Sequence, residues 1–276
     1  NLPIVGYSIN TYVGCPFACK YCYATFMKRF TGHKEDWGTF LDVKIWDKIK
    51  NPKKYKGQTM IVGSVTDGYN YFEAKYKRTR AFLEEMQGSE INLIITTKSN
   101  LVTRDIELIK TYPKPLVAWS INTLDENFKK DMENTPTIKS RIEAMKQIHK
   151  EGIRTTCFIS PIFPGITDVF SIIEEIKHYC DYIWLENLNL RGTFKSTIIN
   201  YIKEKHSDLL PLYEEIYNKK NISYWEMLDK QVEDYANKNG FMYVIDEEPF
   251  LKNPTGKPII INYFYHEKIR QSSKDK

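Results

Sequence analysis

The sequence predicts an α/β protein, a partial (β/α)6 barrel that stays open and carries a helical cap at its C-terminal end. Three observations point there. Short β-branched and aliphatic runs alternate six times with stretches whose apolar residues recur three and four positions apart, the rhythm of parallel strands joined by helical crossovers. That alternation fades after Leu190. A closed eightfold barrel by itself takes about 250 residues, which the repeating part of this chain does not reach.

The strands are expected over residues 7–13, 60–65, 91–97, 116–122, 155–161 and 182–190. After the fourth, Thr123 and Glu126 have the spacing of a capping box and mark a helix start. The run IKSRIEAMKQIHKEG reads as an amphipathic helix over 138–152, closed by Gly152, which reaches the left-handed conformation a C-cap needs. Beyond Leu190 come helical segments over about 196–239 and a short strand-like FMYVI. There is no internal repeat, no Gly/Ser linker and no low-complexity block. The expected organisation is a core over residues 1–195 with a C-terminal helical and basic extension, 196–276, packed on it.

Composition narrows the class. No apolar run approaches the roughly 18 residues of a membrane span, and no secretory h-region is present. The first residue is Asn, not Met, which points to a native N-terminus upstream. Five cysteines make an odd set, unlike a disulfide framework, so reduced thiols in a cytoplasmic protein are expected. Net charge is +5 and says little alone. Its distribution says more: the 26 C-terminal residues from Leu251 hold six Lys or Arg and two acids, whereas Glu226 to Glu248 holds seven acids and two bases. A basic tail can meet phosphate or an acidic partner, or simply keep a surface solvated.

Three of the five cysteines fall within GCPFACKYCYA, residues 14–24, spaced C-x-x-x-C-x-x-C as Cys15, Cys19 and Cys22. The run follows the first strand, at the end of the sheet where α/β barrels place their chemistry. Thiolates suit zinc or iron–sulfur clusters. A structural zinc site needs four protein ligands, and the nearest fourth candidate is His33. Three thiolates alone instead leave one iron of a [4Fe–4S] cluster open to another ligand.

This loop, with an aromatic residue before its third cysteine, resembles the signature of the radical S-adenosylmethionine (SAM) superfamily. INTYVGCPFACKYCYA, VGSVTDGYNYFE, TTKSN followed by TRD, AWSINTLDE and FISPIFPGITD together resemble its spore photoproduct lyase-like branch, over about residues 7–170. MKRFTGHKEDWGTFLDVKIW and WLENLNLRG resemble most a protein of the radical SAM mobile pair, two related enzymes encoded side by side. The resemblance implies a barrel of radical SAM type, a [4Fe–4S] cluster on Cys15, Cys19 and Cys22, and SAM chelated at the open iron. It implies reductive cleavage of SAM to a 5′-deoxyadenosyl radical that abstracts hydrogen from a substrate. A reductant such as flavodoxin or ferredoxin is the implied partner, with a paired radical SAM protein as a second.

By the same resemblance Tyr21 lies against adenine or cluster and Tyr23 stands close to the cofactor. Ser64, Lys98 and Ser120 match positions that contact SAM, where an ammonium pairs with carboxylate or ribose oxygens and hydroxyls satisfy polar edges. Thr66, Asp67 and Asn122 are further candidates for the cofactor, with a turn at Gly68 as the plainer reading of Asp67. Glu186, Asn187, Asn189 and Arg191 crowd the end of the sixth strand and are expected to read substrate, or else to form a structural network. The lyase pattern has a hydrogen-donating cysteine on strand two, and residues 60–66, MIVGSVT, contain none. Cys157 on strand five is the substitute, against its reading as a small buried hydrophobe. Dimer repair is therefore not expected, and the substrate is either nucleic acid or a small or peptide-like molecule. The competing class is a non-catalytic zinc or iron–sulfur module.

Overall fold

A computed structural model describes residues 6–190, 192, 194–245 and 256–264. The chain forms two compact units, one of Asn1–Ser120 with Asp125–Thr155, the other of Ile121–Leu124 with Thr156–Lys276.

In the first unit the expected leading strand is split. Tyr7–Ile9 (β1) lies parallel to Thr59–Val62 (β4), whereas Tyr12–Val13 (β2) leaves the sheet and pairs antiparallel with Asp42–Val43 (β3). Asn10 sits at the break. Its Oδ1 accepts the backbone N–H groups of Val65 and Thr66 at 2.9 and 3.0 Å, so the residue closes off the end of β4 instead of continuing a strand. β4 itself stops at Gly63, earlier than expected. With φ at +91° this glycine packs so closely that a Cβ would lie 2.4 Å from the Thr96 carbonyl oxygen. The chain continues through Glu73–Tyr76 (α1) and Arg78–Glu85 (α2) to Asn92–Thr97 (β5). Ile106–Ile109 (α3) leads to Leu116–Ser120 (β6), giving four parallel strands in the order β1-β4-β5-β6. The apolar residues of β4, β5 and β6 are buried in unbroken runs, as strands covered on both faces require, whereas the edge strand β1 is largely exposed.

Glu126–Met132 (α4) is capped by Asp125, whose carboxylate accepts the Asn127 N–H at 2.7 Å. The expected Thr123–Glu126 capping box is therefore not made. Glu126 reaches forward instead, accepting the Ile138 N–H at 2.6 Å. Ile138–Lys150 (α5) starts at Thr137, which caps Ser140 N–H, and ends as expected before Gly152 at φ +77°. Its buried stripe is Ile138, Ile142, Met145 and Ile148, together with a charged residue, Arg141.

The second unit is built on Arg154–Ile162 (β7), Val169–Ile176 (α6) and Tyr182–Asn187 (β8). The expected C-terminal helices are present as Phe194–Lys205 (α7), Leu210–Tyr217 (α8) and Ser223–Asn239 (α9). The cap is not purely helical, however. FMYVI forms Met242–Ile245 (β9), and the stretch read as a basic tail contains Ile259–Asn262 (β10), whose four residues are all buried. β10 lies between β8 and β9 and runs parallel to both, with Ile259 opposite Tyr182 on one side and Met242 on the other. No helix among the described residues is long and apolar enough to cross a membrane.

Candidate metal and cofactor site

The cysteine loop begins at Gly14, whose φ of +83° lets the chain turn against Phe40; a Cβ there would lie 2.3 Å from the Phe40 carbonyl oxygen. Ala18 takes a left-handed conformation, φ +47°, over Gly38, where an added Cβ would meet that of Ala18 at 2.9 Å. The loop is held by backbone hydrogen bonds to the last residue of α4 and the segment that follows it: Lys20 N–H to Met132 O at 2.9 Å and Asn134 N–H to Phe17 O at 2.7 Å. Phe17 is buried and meets Tyr71 edge-on at 5.1 Å. The loop is thus a fixed structure, not a tether.

Cys15, Cys19 and Cys22 are half-buried free thiols within it. Burial pushes Cys15 up to about 12, and Cys19 and Cys22 also rise, chiefly by burial. Thiols that resist ionisation alone ionise when a cation supplies compensating charge. Their chemistry thus fits a group that brings positive charge and takes three thiolates. The fourth zinc ligand considered from sequence is committed elsewhere: the His33 ring nitrogens face Glu35 at 3.2 Å and Asp42 at 3.0 Å, and its ring stacks on Phe40. Those carboxylates raise the His33 pKa, the Asp42 hydrogen bond most.

Tyr21, between the last two cysteines, is buried, and its hydroxyl donates to Glu133. Lys98 closes the group, its Nζ 3.1 Å from both the Tyr21 hydroxyl and Glu133 Oε2. Burial opposes ionisation of Glu133, but Lys98 and Arg141 outweigh it and hold the carboxyl well below its usual range. Lys98 is itself held in place by Asp67. That carboxylate accepts the backbone N–H groups of Lys98 at 2.7 Å and Tyr69 at 2.8 Å and the Thr97 hydroxyl at 2.8 Å. With its oxygens so occupied, Asp67 ties the ends of β4 and β5 together and is not presented to a ribose. Thr66 is buried beside it. The Ser64 hydroxyl bonds that of Ser8 and accepts the Asn10 side-chain amide, and its carbonyl accepts the hydroxyl of Tyr23, itself 62% exposed. Ser120 ends β6 half-buried, its carbonyl accepting Arg141 Nη1 at 3.1 Å.

Arg104, from the TRD stretch, pairs with buried Glu73 at 2.8 Å and Asp105 at 2.7 Å beneath the loop. Glu73 also accepts the hydroxyl of Tyr12, two residues before Gly14, at 2.5 Å. A cavity of about 350 Å³ lies against Pro16, lined by Phe40, Leu41, Val43, Phe72 and Tyr76 among others. Its lining carries no charged side chain to pair with the charges of a zwitterionic cofactor.

The remaining candidates lie in the second unit. Asn122 is buried and donates to the Pro161 carbonyl at 3.3 Å. Glu186, at the end of β8, accepts the Ser160 hydroxyl at 2.7 Å. Asn187 has a buried Oδ1 with no hydrogen-bond partner among the described residues, the condition of a group awaiting one. Asn189 is half-buried, and Arg191 lies outside the described residues. Cys157 is fully buried on β7, its backbone N–H pointing at Cys180 Sγ 3.1 Å away. That placement favours its reading as a small buried hydrophobe over that of a hydrogen donor.

Sequence reasoning missed Glu133, Arg141 and Asn10. One signal was available: Arg141 occupies the apolar stripe of a helix, and a buried guanidinium demands a buried anion.

Residues 9–180 match the model of the radical SAM superfamily. An uncharacterised protein of Methanocaldococcus jannaschii is 39% identical over 224 residues, covering 79% of this chain and 82% of its own length. A radical SAM Nalpha-GlyT isomerase of Pseudomonas phage M6 is 22% identical over 59% of this chain and 34% of its own. Among solved structures, a spore photoproduct lyase variant with bound AdoMet and dinucleoside spore photoproduct superposes with a TM-score of 0.55 at 17% identity. That match covers 73% of this chain and 62% of the lyase, so the chain spans less than two thirds of that enzyme.

Proposed function

The chain belongs to the radical SAM superfamily, and from that premise we propose that Cys15, Cys19 and Cys22 hold a [4Fe–4S] cluster that reductively cleaves SAM. The superfamily's cofactors are this cluster and SAM. Held by the three thiolates and reduced by an external one-electron donor, the cluster would supply the electron that cleaves the C–S bond of SAM, giving methionine and a 5′-deoxyadenosyl radical able to abstract hydrogen from substrate. The observation that carries the reading is the ligand set: three thiols in one fixed loop, with the nearest histidine engaged by two carboxylates.

The chain's own residues have these parts. Gly14 and the backbone bonds to Met132 and Asn134 hold the thiols in one conformation. Lys98 offers a cation for the SAM carboxylate, and Asp67 sets where that cation stands. Ser64 and Ser120, at the C-terminal ends of β4 and β6, offer hydroxyls to the polar edges of the cofactor. Tyr23, expected close to the cofactor, donates its hydroxyl to the Ser64 carbonyl. Glu186 and Asn187 are proposed to read substrate, the orphaned Asn187 oxygen being the strongest support.

The test is anaerobic reconstitution with iron and sulfide, then dithionite and SAM. The wild type should bind about four irons per chain, the cluster's stoichiometry, and release 5′-deoxyadenosine and methionine. Cys15→Ala, Cys19→Ala and Cys22→Ala should each abolish both. One zinc per chain with no cleavage would establish the non-catalytic reading instead.

For substrate class, one surface favours nucleic acid. On the 3-10 helix Tyr23–Phe30 the exposed rings of Phe26 and Phe30 flank Arg29, whose guanidinium lies 5.6 and 4.7 Å from their centroids. Exposed rings interleaved with cations stack bases and attract phosphate. Oligonucleotide binding should weaken with salt and fall on Phe26→Ala with Phe30→Ala. The basic tail is unsuited to this test by truncation, because removing it deletes the buried strand β10.

A further inference from the structure

We infer that Glu133 is a positioning residue of the metal-binding loop, which braces Cys19 and Tyr21 from behind and sets the electrostatic field in which the cluster is reduced. The inference rests on the cluster assignment above and extends it to a residue far from the loop in sequence.

The two carboxylate oxygens of Glu133 have separate tasks. Oε2 faces the loop: it accepts the Tyr21 hydroxyl, lies 3.7 Å from Cys19 Sγ and 3.1 Å from Lys98 Nζ. Oε1 faces away, accepting the Thr135 hydroxyl at 2.9 Å and Arg141. The residue has no slack, because the backbone bonds from Lys20 to Met132 and from Asn134 to Phe17 bracket it on both sides. Only 1% of the Glu133 and Arg141 side chains is exposed. A carboxylate at such a depth would be costly without both cations, and it stands in contact with a cluster ligand.

A buried charge acts over short range far more strongly than one in water. Cluster potentials respond to net charge, to hydrogen bonds at the sulfurs and to burial. A fixed anion beside Cys19 opposes the arrival of an electron and so keeps the reduced cluster a strong reductant. Tyr21 moderates this, since its hydroxyl donates to Oε2 while accepting from Lys98. The two residues therefore act with opposite sign. Removing the anion eases reduction; removing the phenol leaves the anion less compensated.

The experiment is an EPR-monitored redox titration of the reconstituted wild type, Glu133→Gln and Tyr21→Phe, each compared at equal iron content. The midpoint potential of Glu133→Gln should move to a less negative value and that of Tyr21→Phe to a more negative one. A carboxylate serving only as Arg141's structural partner predicts no such opposed pair. Shifts of the same sign, or none, overturn the inference. If Glu133→Gln fails to fold because Arg141 has lost its anion, Tyr21→Phe decides alone: a more negative midpoint supports the inference, and an unchanged or less negative one overturns it. A wild type that takes up no cluster removes the premise, and the inference with it, whereas a loaded wild type with unshifted variants refutes the inference alone.

Discussion

Replacing Gly14 by alanine should cost far more than the same change at Gly32, although both glycines hold left-handed backbone, at φ +83° and +75°. That conformation alone costs an L-residue about 1–2 kcal/mol. At Gly32 nothing lies within 4 Å of the added Cβ, so Gly32→Ala should lose only this amount. At Gly14 the Cβ would sit 2.3 Å from the Phe40 carbonyl oxygen and 2.9 Å from its ring. An ordinary carbon–oxygen approach is about 3.3 Å, so backbone must move by about 1 Å. Phe40 cannot yield alone, because it stacks on His33 at 3.9 Å and precedes β3, which is paired with β2. Overpacking of this kind adds about 1–3 kcal/mol, for a total of about 2–5 kcal/mol in Gly14→Ala. Urea unfolding of the metal-free proteins reads both values, and iron per chain after reconstitution reads the displacement passed to Cys15. Equal losses of stability with equal iron uptake would refute the argument that the Phe40 contact shapes the loop.

Lys98→Met should retain the cluster yet weaken SAM binding, since losing a charge-assisted hydrogen bond costs about 1.5–3 kcal/mol, roughly ten- to a hundredfold in affinity. Isothermal titration checks it, and unchanged affinity would confine Lys98 to its pairing with Glu133. His33 gives the loop after the cysteines a pH dependence. Asp42 and Glu35 raise its pKa in the folded state, so its contribution to stability is complete below the ordinary value near 6.5. It is lost as pH rises through the raised folded value. The urea midpoint should therefore fall as pH rises from near 6.5, and His33→Gln should flatten that part of the profile; a parallel profile in the variant would show that the pair contributes nothing.

What the sequence determined by itself was whatever depends on residues near one another along the chain. Thiol spacing, strand periodicity and the Gly152 stop are local, and the structure has the cysteine loop directly after the split first strand, parallel strands and a helix ending before Gly152. Local signals failed where a nearby competitor existed: Asp125 took the cap expected of Thr123, and the charges around Ile259–Asn262 masked a buried strand. Only the tertiary structure decided that Glu133, 112 residues from Tyr21 and 114 from Cys19, stands behind the metal-binding loop. It likewise decided that Cys157 is sealed in the core and that Asp67 serves Lys98. The physical reason is common to all three. Burial and charge compensation are properties of the space around a side chain, and its polar or charged identity says only that some partner must be found there.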